Sequence, residues 1–151
     1  MYSYGAKITW REGKQGVIHV AEKPTVHIAT PPEFGGPKGV WAPEELLVAS
    51  VGSCLMTTFL YFVELLGIRL ASYESNASGV MEKTPDGLRF TAVDVAIAVK
   101  VAAQSDRQKA SGLKSKLEKY CPVSTSLNFP VRLNFKVTAT GGQQPLAAES
   151  V

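Results

Sequence analysis

The sequence predicts an α+β fold, a mostly antiparallel sheet with helices on one side. Three observations carry this reading. Residues 1–30 hold only short strand-like runs, an uncharged stretch follows from Leu46 to Val63, and two later segments alternate apolar and polar residues with period two. The order is three strands, a long helix, two strands, a helix and a strand, with no internal repeat. One domain spans 1–151, with a core over about 6–139 and a loose tail over 140–151.

Ala6 to Arg11, Val17 to Ala21 and Thr25 to Thr30 read as a small meander, divided by Glu12-Gly13-Lys14-Gln15-Gly16 and by Lys23-Pro24. Between Pro31 and Pro43 the prolines and glycines make a stiff loop, long enough for a functional flap. Pro43 suits a first helical position, and Glu44 and Glu45 suit the first turn, where the helix dipole favours anions. That helix is expected to reach about Leu66 and stop at Gly67. Ile68 to Met81 and Phe90 to Ala102 read as strands joined by a turn at Thr84-Pro85-Asp86-Gly87. In the second, Val93, Val95, Ile97, Val99 and Val101 share one face, opposite Asp94 and Lys100. Ser105 is expected to cap a second helix that ends at Cys121-Pro122, because the residue before a proline leaves the helical region. In the last strand, Val131 to Ala139, Val131, Leu133, Phe135 and Val137 point inward.

At 45% hydrophobic and 19% charged, the chain is neither a disordered tail nor a charged coiled coil. Its net charge of +3 is spread without a basic run, so no footprint for nucleic acid or an anionic membrane is present. Met1-Tyr2-Ser3-Tyr4-Gly5 does not read as a secretory leader, and two cysteines do not make a disulfide scaffold, so a cytoplasmic location is expected. The run from Leu46 to Val63 is bracketed by glutamates and lacks flanking Lys or Arg, which argues against a membrane span. A helix so uniformly apolar is expected to be buried, with help from a partner subunit.

The two cysteines are the candidate chemistry. Taken alone, Cys54 in Gly52-Ser53-Cys54-Leu55 is either a buried structural thiol or a nucleophile. Cys121 is either a helix-boundary residue or, if Pro122 opens a short helix, an N-cap with its sulfur at the positive end of a dipole. Beside a thiol, Glu44 and Arg11 are the charged residues to watch, since a thiolate needs a cation and a carboxylate can orient one. Each also has a simpler account, as a first-turn carboxylate and a solvated turn residue. His19 and His27 read as non-catalytic, and no metal motif, nucleophile elbow or glycine-rich phosphate loop occurs.

Thr30-Pro31-Pro32-Glu33-Phe34-Gly35-Gly36, Ala42-Pro43-Glu44-Glu45-Leu46-Leu47, Gly52-Ser53-Cys54 and Tyr120-Cys121-Pro122-Val123-Ser124 resemble, in order and spacing, the landmarks of the osmotically inducible protein C and organic hydroperoxide resistance (OsmC/Ohr) family. The resemblance runs from about Lys7 to Ala139. It implies an intertwined homodimer, with sheets wrapped around long central helices. It also implies a cysteine-based peroxidase for organic hydroperoxides that uses no metal or other cofactor. By position, Cys54 matches the peroxidatic cysteine, Cys121 the resolving cysteine, Glu44 the acidic residue that orients an arginine, and Arg11 in Trp10-Arg11-Glu12-Gly13 that arginine. Lipoyl groups are the dithiol reductant the resemblance implies.

Glu44 and Cys54 stand about 15 Å apart along a straight helix at about 1.5 Å per residue. Either the helix breaks near Gly52, or Glu44 serves a site on the other subunit; an obligate dimer with composite sites is the expectation. Phe34 and Trp41 on the proline-rich loop, with Phe59 and Phe62, are expected to wall the substrate pocket and to favour organic hydroperoxides over hydrogen peroxide. The alternative is a redox-sensing or small-molecule-binding protein of the same fold.

Overall fold

The computed structural model describes residues 1–140, and the tail expected over 140–151 lies, beyond Thr140, outside them. The chain divides into two compact units at Ala49 and Ser50, within its longest helix.

The N-terminal unit is an antiparallel meander of β1 (Lys7–Glu12), β2 (Gln15–His19) and β3 (Val26–Ala29). These are the three expected strands, with ends shifted by one or two residues. The loop that follows holds one 3-10 turn, Pro32–Phe34. It is pinned at Gly36, where a Cβ would lie 1.5 Å from the carbonyl oxygen of Thr30, so that no other residue fits. The loop ends at α1 (Pro43–Leu65), which begins where the proline and acidic pair predict. Ala42 offers no side-chain cap, but Glu45 reaches back and its carboxylate accepts the Ala42 N–H at 2.9 Å, one half of a capping box.

The C-terminal unit pairs two 15-residue strands, β4 (Leu70–Thr84) and β5 (Gly87–Val101), around the expected turn. Gly87 there takes φ 106°, a conformation open to glycine. The chain then crosses over through α2 (Gln104–Ser111), α3 (Lys114–Tyr120) and α4 (Pro122–Thr125) to β6 (Val131–Ala139). The sheet order is β4-β5-β6, and β6 runs parallel to β5. The helix expected from Ser105 to Tyr120 is two helices, interrupted at Gly112-Leu113, and its N-cap is Ala103. As predicted, Val93, Val95, Ile97, Val99 and Val101 of β5 are buried. They pack against Val51, Leu55 and Phe59 of α1 and against Leu113 and Leu117 from the crossover. Asp106, 3% exposed in the first turn of α2, accepts a hydrogen bond from Arg69 Nε at 3.0 Å.

The expectation of a long helix buried on nearly all sides is not met within one chain. Val51, Gly52, Leu55 and Phe59 are buried, while Leu60, Tyr61, Leu65 and Leu66 are exposed. By length and composition α1 could also cross a membrane, with a mean hydropathy of 1.9 in its most apolar window. Its buried stripe is nonetheless part of the core it shares with the sheet. Gly67 ends the approach to β4 with φ 62°, as the sequence predicts.

Candidate functional site

Along α1, residues spaced by three and four fall on one face. Cys54, Thr57, Thr58, Tyr61, Phe62 and Leu65 form such a stripe and make one wall of a cleft of about 550 Å3. Lys116 and Tyr120 of α3, with Pro122, make the other wall. The aromatic rings are in mutual contact, with Phe62 edge-on to Tyr61 at 5.2 Å and tilted against Tyr120 at 5.8 Å. The result is an apolar cleft with a thiol in its wall.

Both thiols are reduced, Cys54 half-buried and Cys121 buried. Cys121 stands where α3 ends, with Pro122 opening α4 as the sequence suggested. Cys121 is the N-cap of α4, as expected, although its sulfur makes no capping hydrogen bond. Cys121 Sγ instead accepts a hydrogen bond from Ser124 Oγ at 3.1 Å. The backbone N–H of Val123, in the first turn of α4, is close enough to Cys54 to favour its thiolate.

Burial pushes the Cys54 thiol above its ordinary pKa, and the neighbouring Cys121 adds to the rise. The Val123 N–H and the Thr58 hydroxyl oppose it without cancelling it. Tyr73 of β4 is close to Cys121. Burial raises its phenol, Cys121 raises it further, and the opposing effect of Ser75 is insufficient. The hydroxyl of Tyr73 is buried without a hydrogen-bond partner among the described residues.

The structure thus brings Cys54, Cys121 and Phe62 together and places Phe59 elsewhere. Phe59 is 0% exposed and packs in the core against Tyr73 and Phe135, with ring centroids at 5.3 Å and 6.0 Å. The reason is helical geometry. At about 100° per residue Phe59 lies roughly 140° around α1 from Cys54, whereas Phe62 lies roughly 80° away. Tyr61, Lys116 and Tyr120 are cleft residues that the sequence reading did not single out. The spacing of Tyr61 from Cys54 and of Tyr120 from Lys116 carried the signal.

The other expected site residues belong to the N-terminal unit. Glu44 and Phe34 line a cleft of about 400 Å3 with Trp10 and Lys14. Glu44 Oε2 is buried there without a hydrogen-bond partner among the described residues. Arg11 lines a different cleft with His19 and His27. Arg11 is the unpaired residue of a bulge between Trp10 and Glu12, where strict alternation breaks down, and it lines its cleft together with Glu12 while Trp10 lines the other. No ion pair joins Arg11 and Glu44 within the described residues. Trp41 is half exposed and makes an isolated bridge to Ile28. Because α1 is helical from Pro43 to Leu65, the break near Gly52 considered above does not occur. Among the described residues, no cluster of His, Cys, Asp and Glu could hold a metal ion.

A mixed α+β fold with two reduced thiols beside an apolar cleft defines the class to which comparison then gives a family. The profile of the OsmC-like protein family matches residues 36–136, and the chain belongs to that family. An OsmC-like protein of unknown function from Vibrio cholerae superposes with a TM-score of 0.83 at 19% identity, covering 90% of this chain and 100% of that one. A protein from Legionella pneumophila, described as an organic hydroperoxide resistance protein OsmC and predicted redox protein, gives 0.68 at 22% identity, covering 91% and 98%. An organic hydroperoxide resistance protein from Elizabethkingia anophelis gives 0.70 at 17% identity, covering 92% and 97%. These likenesses establish the fold. Among curated proteins there is no match to this sequence.

Proposed function

We propose that this chain is a thiol-dependent peroxidase that reduces organic hydroperoxides, working as a homodimer in the cytoplasm with an external dithiol as reductant. The observation that carries the reading is Cys54, reduced, lining an apolar cleft with Cys121 beside it. The description of the Legionella protein points the same way.

In this reading the Cys54 thiolate attacks one peroxide oxygen; an S–O bond forms, the O–O bond breaks, and the departing alkoxide takes a proton to leave as an alcohol. Cys121 condenses with the sulfenic acid, forming a disulfide and releasing water. Two electrons from a dithiol, a lipoyl group being the family-implied candidate, then restore both thiols by exchange. A thiol held above its ordinary pKa needs a cation to react at neutral pH, and Arg11 is assigned that role together with stabilising the departing oxygen. The unpartnered buried oxygen of Glu44 supports its assignment as the group that orients this arginine. With α1 unbroken, we assign Glu44 to a site containing Cys54 of the other subunit. Leu60 and Leu66, exposed and outside the cleft lining, are consistent with such a dimer.

Anaerobic titration of the reduced protein with cumene hydroperoxide, read by intact mass and free-thiol count, tests the reading. Rapid loss of both thiols as an intrachain disulfide, absent in Cys54→Ser, is expected. Mixing Glu44→Gln with Cys54→Ser chains should restore activity through hybrid dimers; no recovery would remove the shared site. The raised Cys54 pKa favours one alternative, a slow redox sensor. A single stoichiometric oxidation without turnover on added dithiol would select it.

A further inference from the structure

The cleft beside Cys54 is lined by three aromatic rings, one cation and no carboxylate. That cation is Lys116. Its ammonium nitrogen lies 5.9 Å from the centre of the Phe62 ring and 5.7 Å from that of Tyr120. Other lysines of α3 are differently engaged: Lys114 pairs with Glu118 at 3.9 Å, and Lys119, outside the cleft lining, sits over Tyr120 at 5.2 Å. Lys116 has neither an ion pair nor a hydrogen-bond acceptor among the described residues. Lys116 is exposed, and contact with the π faces positions its ammonium group while leaving its three N–H donors to solvent or to a bound anion.

We propose that Lys116 is a specificity residue and that the cleft takes an organic anion: a thiol-reactive molecule with an aryl or alkyl body and a carboxylate. The carboxylate pairs with Lys116 while the body lies on Tyr61, Phe62 and Leu65, bringing the reactive group to Cys54. A volume of about 550 Å3 is sufficient for such a body. On the peroxidase reading, which this inference extends, the preferred substrates are hydroperoxides that bear a carboxylate.

The test does not depend on peroxide turnover. The reduced, full-length protein is alkylated separately with iodoacetate and iodoacetamide, and modification of Cys54 is followed by peptide mass. In both reactions the thiolate displaces iodide, but only iodoacetate carries a negative charge. Lys116→Gln is expected to lower the iodoacetate-to-iodoacetamide rate ratio about three- to tenfold at low ionic strength, Lys116→Glu to lower it further, and salt to shrink the difference. An unchanged ratio in both variants overturns the proposal. So does an equal fall in both rates, which would mean that Lys116 only promotes ionisation of the thiol. If turnover occurs, 4-carboxycumyl hydroperoxide should exceed its methyl ester in kcat/KM, and Lys116→Gln should remove that preference. Turnover with no such preference overturns the anion preference while leaving the peroxidase reading intact; a Lys116-dependent alkylation ratio without turnover does the reverse.

Discussion

Replacing Phe59 and Phe62 by alanine, one at a time, separates the core of this protein from its cleft. Phe59 is wholly buried between Tyr73 and Phe135. Its truncation leaves a cavity in a core that cannot close around it, at a cost of about 3–5 kcal/mol, of which the two aromatic contacts supply about 0.5–1.5 kcal/mol each. Against a total stability of about 5–15 kcal/mol, that is a large share. Phe62 is half-buried and borders the cleft, so the same change costs about 1–2 kcal/mol, with some of the lost contact replaced by water. Urea unfolding followed by far-UV circular dichroism measures both, at one fixed protein concentration because subunit association would add to the apparent stability. Phe62→Ala should instead have the larger effect on alkylation of Cys54 by a bulky aryl maleimide. A loss below about 1 kcal/mol in Phe59→Ala with an unchanged denaturant slope, or a larger loss in Phe62→Ala, would refute the assignment of the two faces.

Arg69→Ala removes the guanidinium from a carboxylate that is itself 4% exposed, while the arginine is 66% exposed. Because solvent already screens one side of the pair, the expected loss is about 1–2 kcal/mol, seen as a lower urea midpoint, and Asp106→Asn in the same background should recover part of it. The Cys54 pKa gives a pair of opposite shifts. Burial and Cys121 raise it while the Thr58 hydroxyl lowers it. Since only the thiolate reacts, alkylation climbs with pH, and its midpoint should move up in Thr58→Val and down in Cys121→Ser; shifts of the reverse sign would contradict the hydrogen-bonding scheme.

Much of the C-terminal unit was legible because its faces repeat. The five buried aliphatics of β5 and the alternation in β6 declare their period, and Pro43, Gly67 and Cys121-Pro122 mark real boundaries. Strand direction was not legible. That β6 runs parallel to β5 depends on how the crossover packs, not on either strand's pattern. The break at Gly112-Leu113 was hidden because Leu113 and Leu117 keep the apolar spacing of one continuous helix while the backbone resets between them. At the site, the residue types pointed to both thiols, and the position of Pro122 anticipated α4. Which sulfur the start of α4 faces could not be read, since it depends on packing between α1 and the crossover. Phe59 was misplaced for a simpler reason: it was counted with Phe62 as an aromatic, without following their angles around the helix.

The parallel pairing of β5 with β6 also orders events in a newly made chain. A parallel neighbour cannot be reached by a tight turn, so the chain must lay down the whole crossover before β6 can join the sheet. Cys121 travels on that crossover, whereas Cys54 is already present on α1. If Cys54 reacts as proposed, then until the crossover docks its sulfenic acid would have no thiol at hand and would be open to the irreversible sulfinic and sulfonic stages. On the peroxidase reading, the unfinished chain would thus be more easily damaged by oxidation than the finished one, and docking of α3 and α4 would be the step that brings protection.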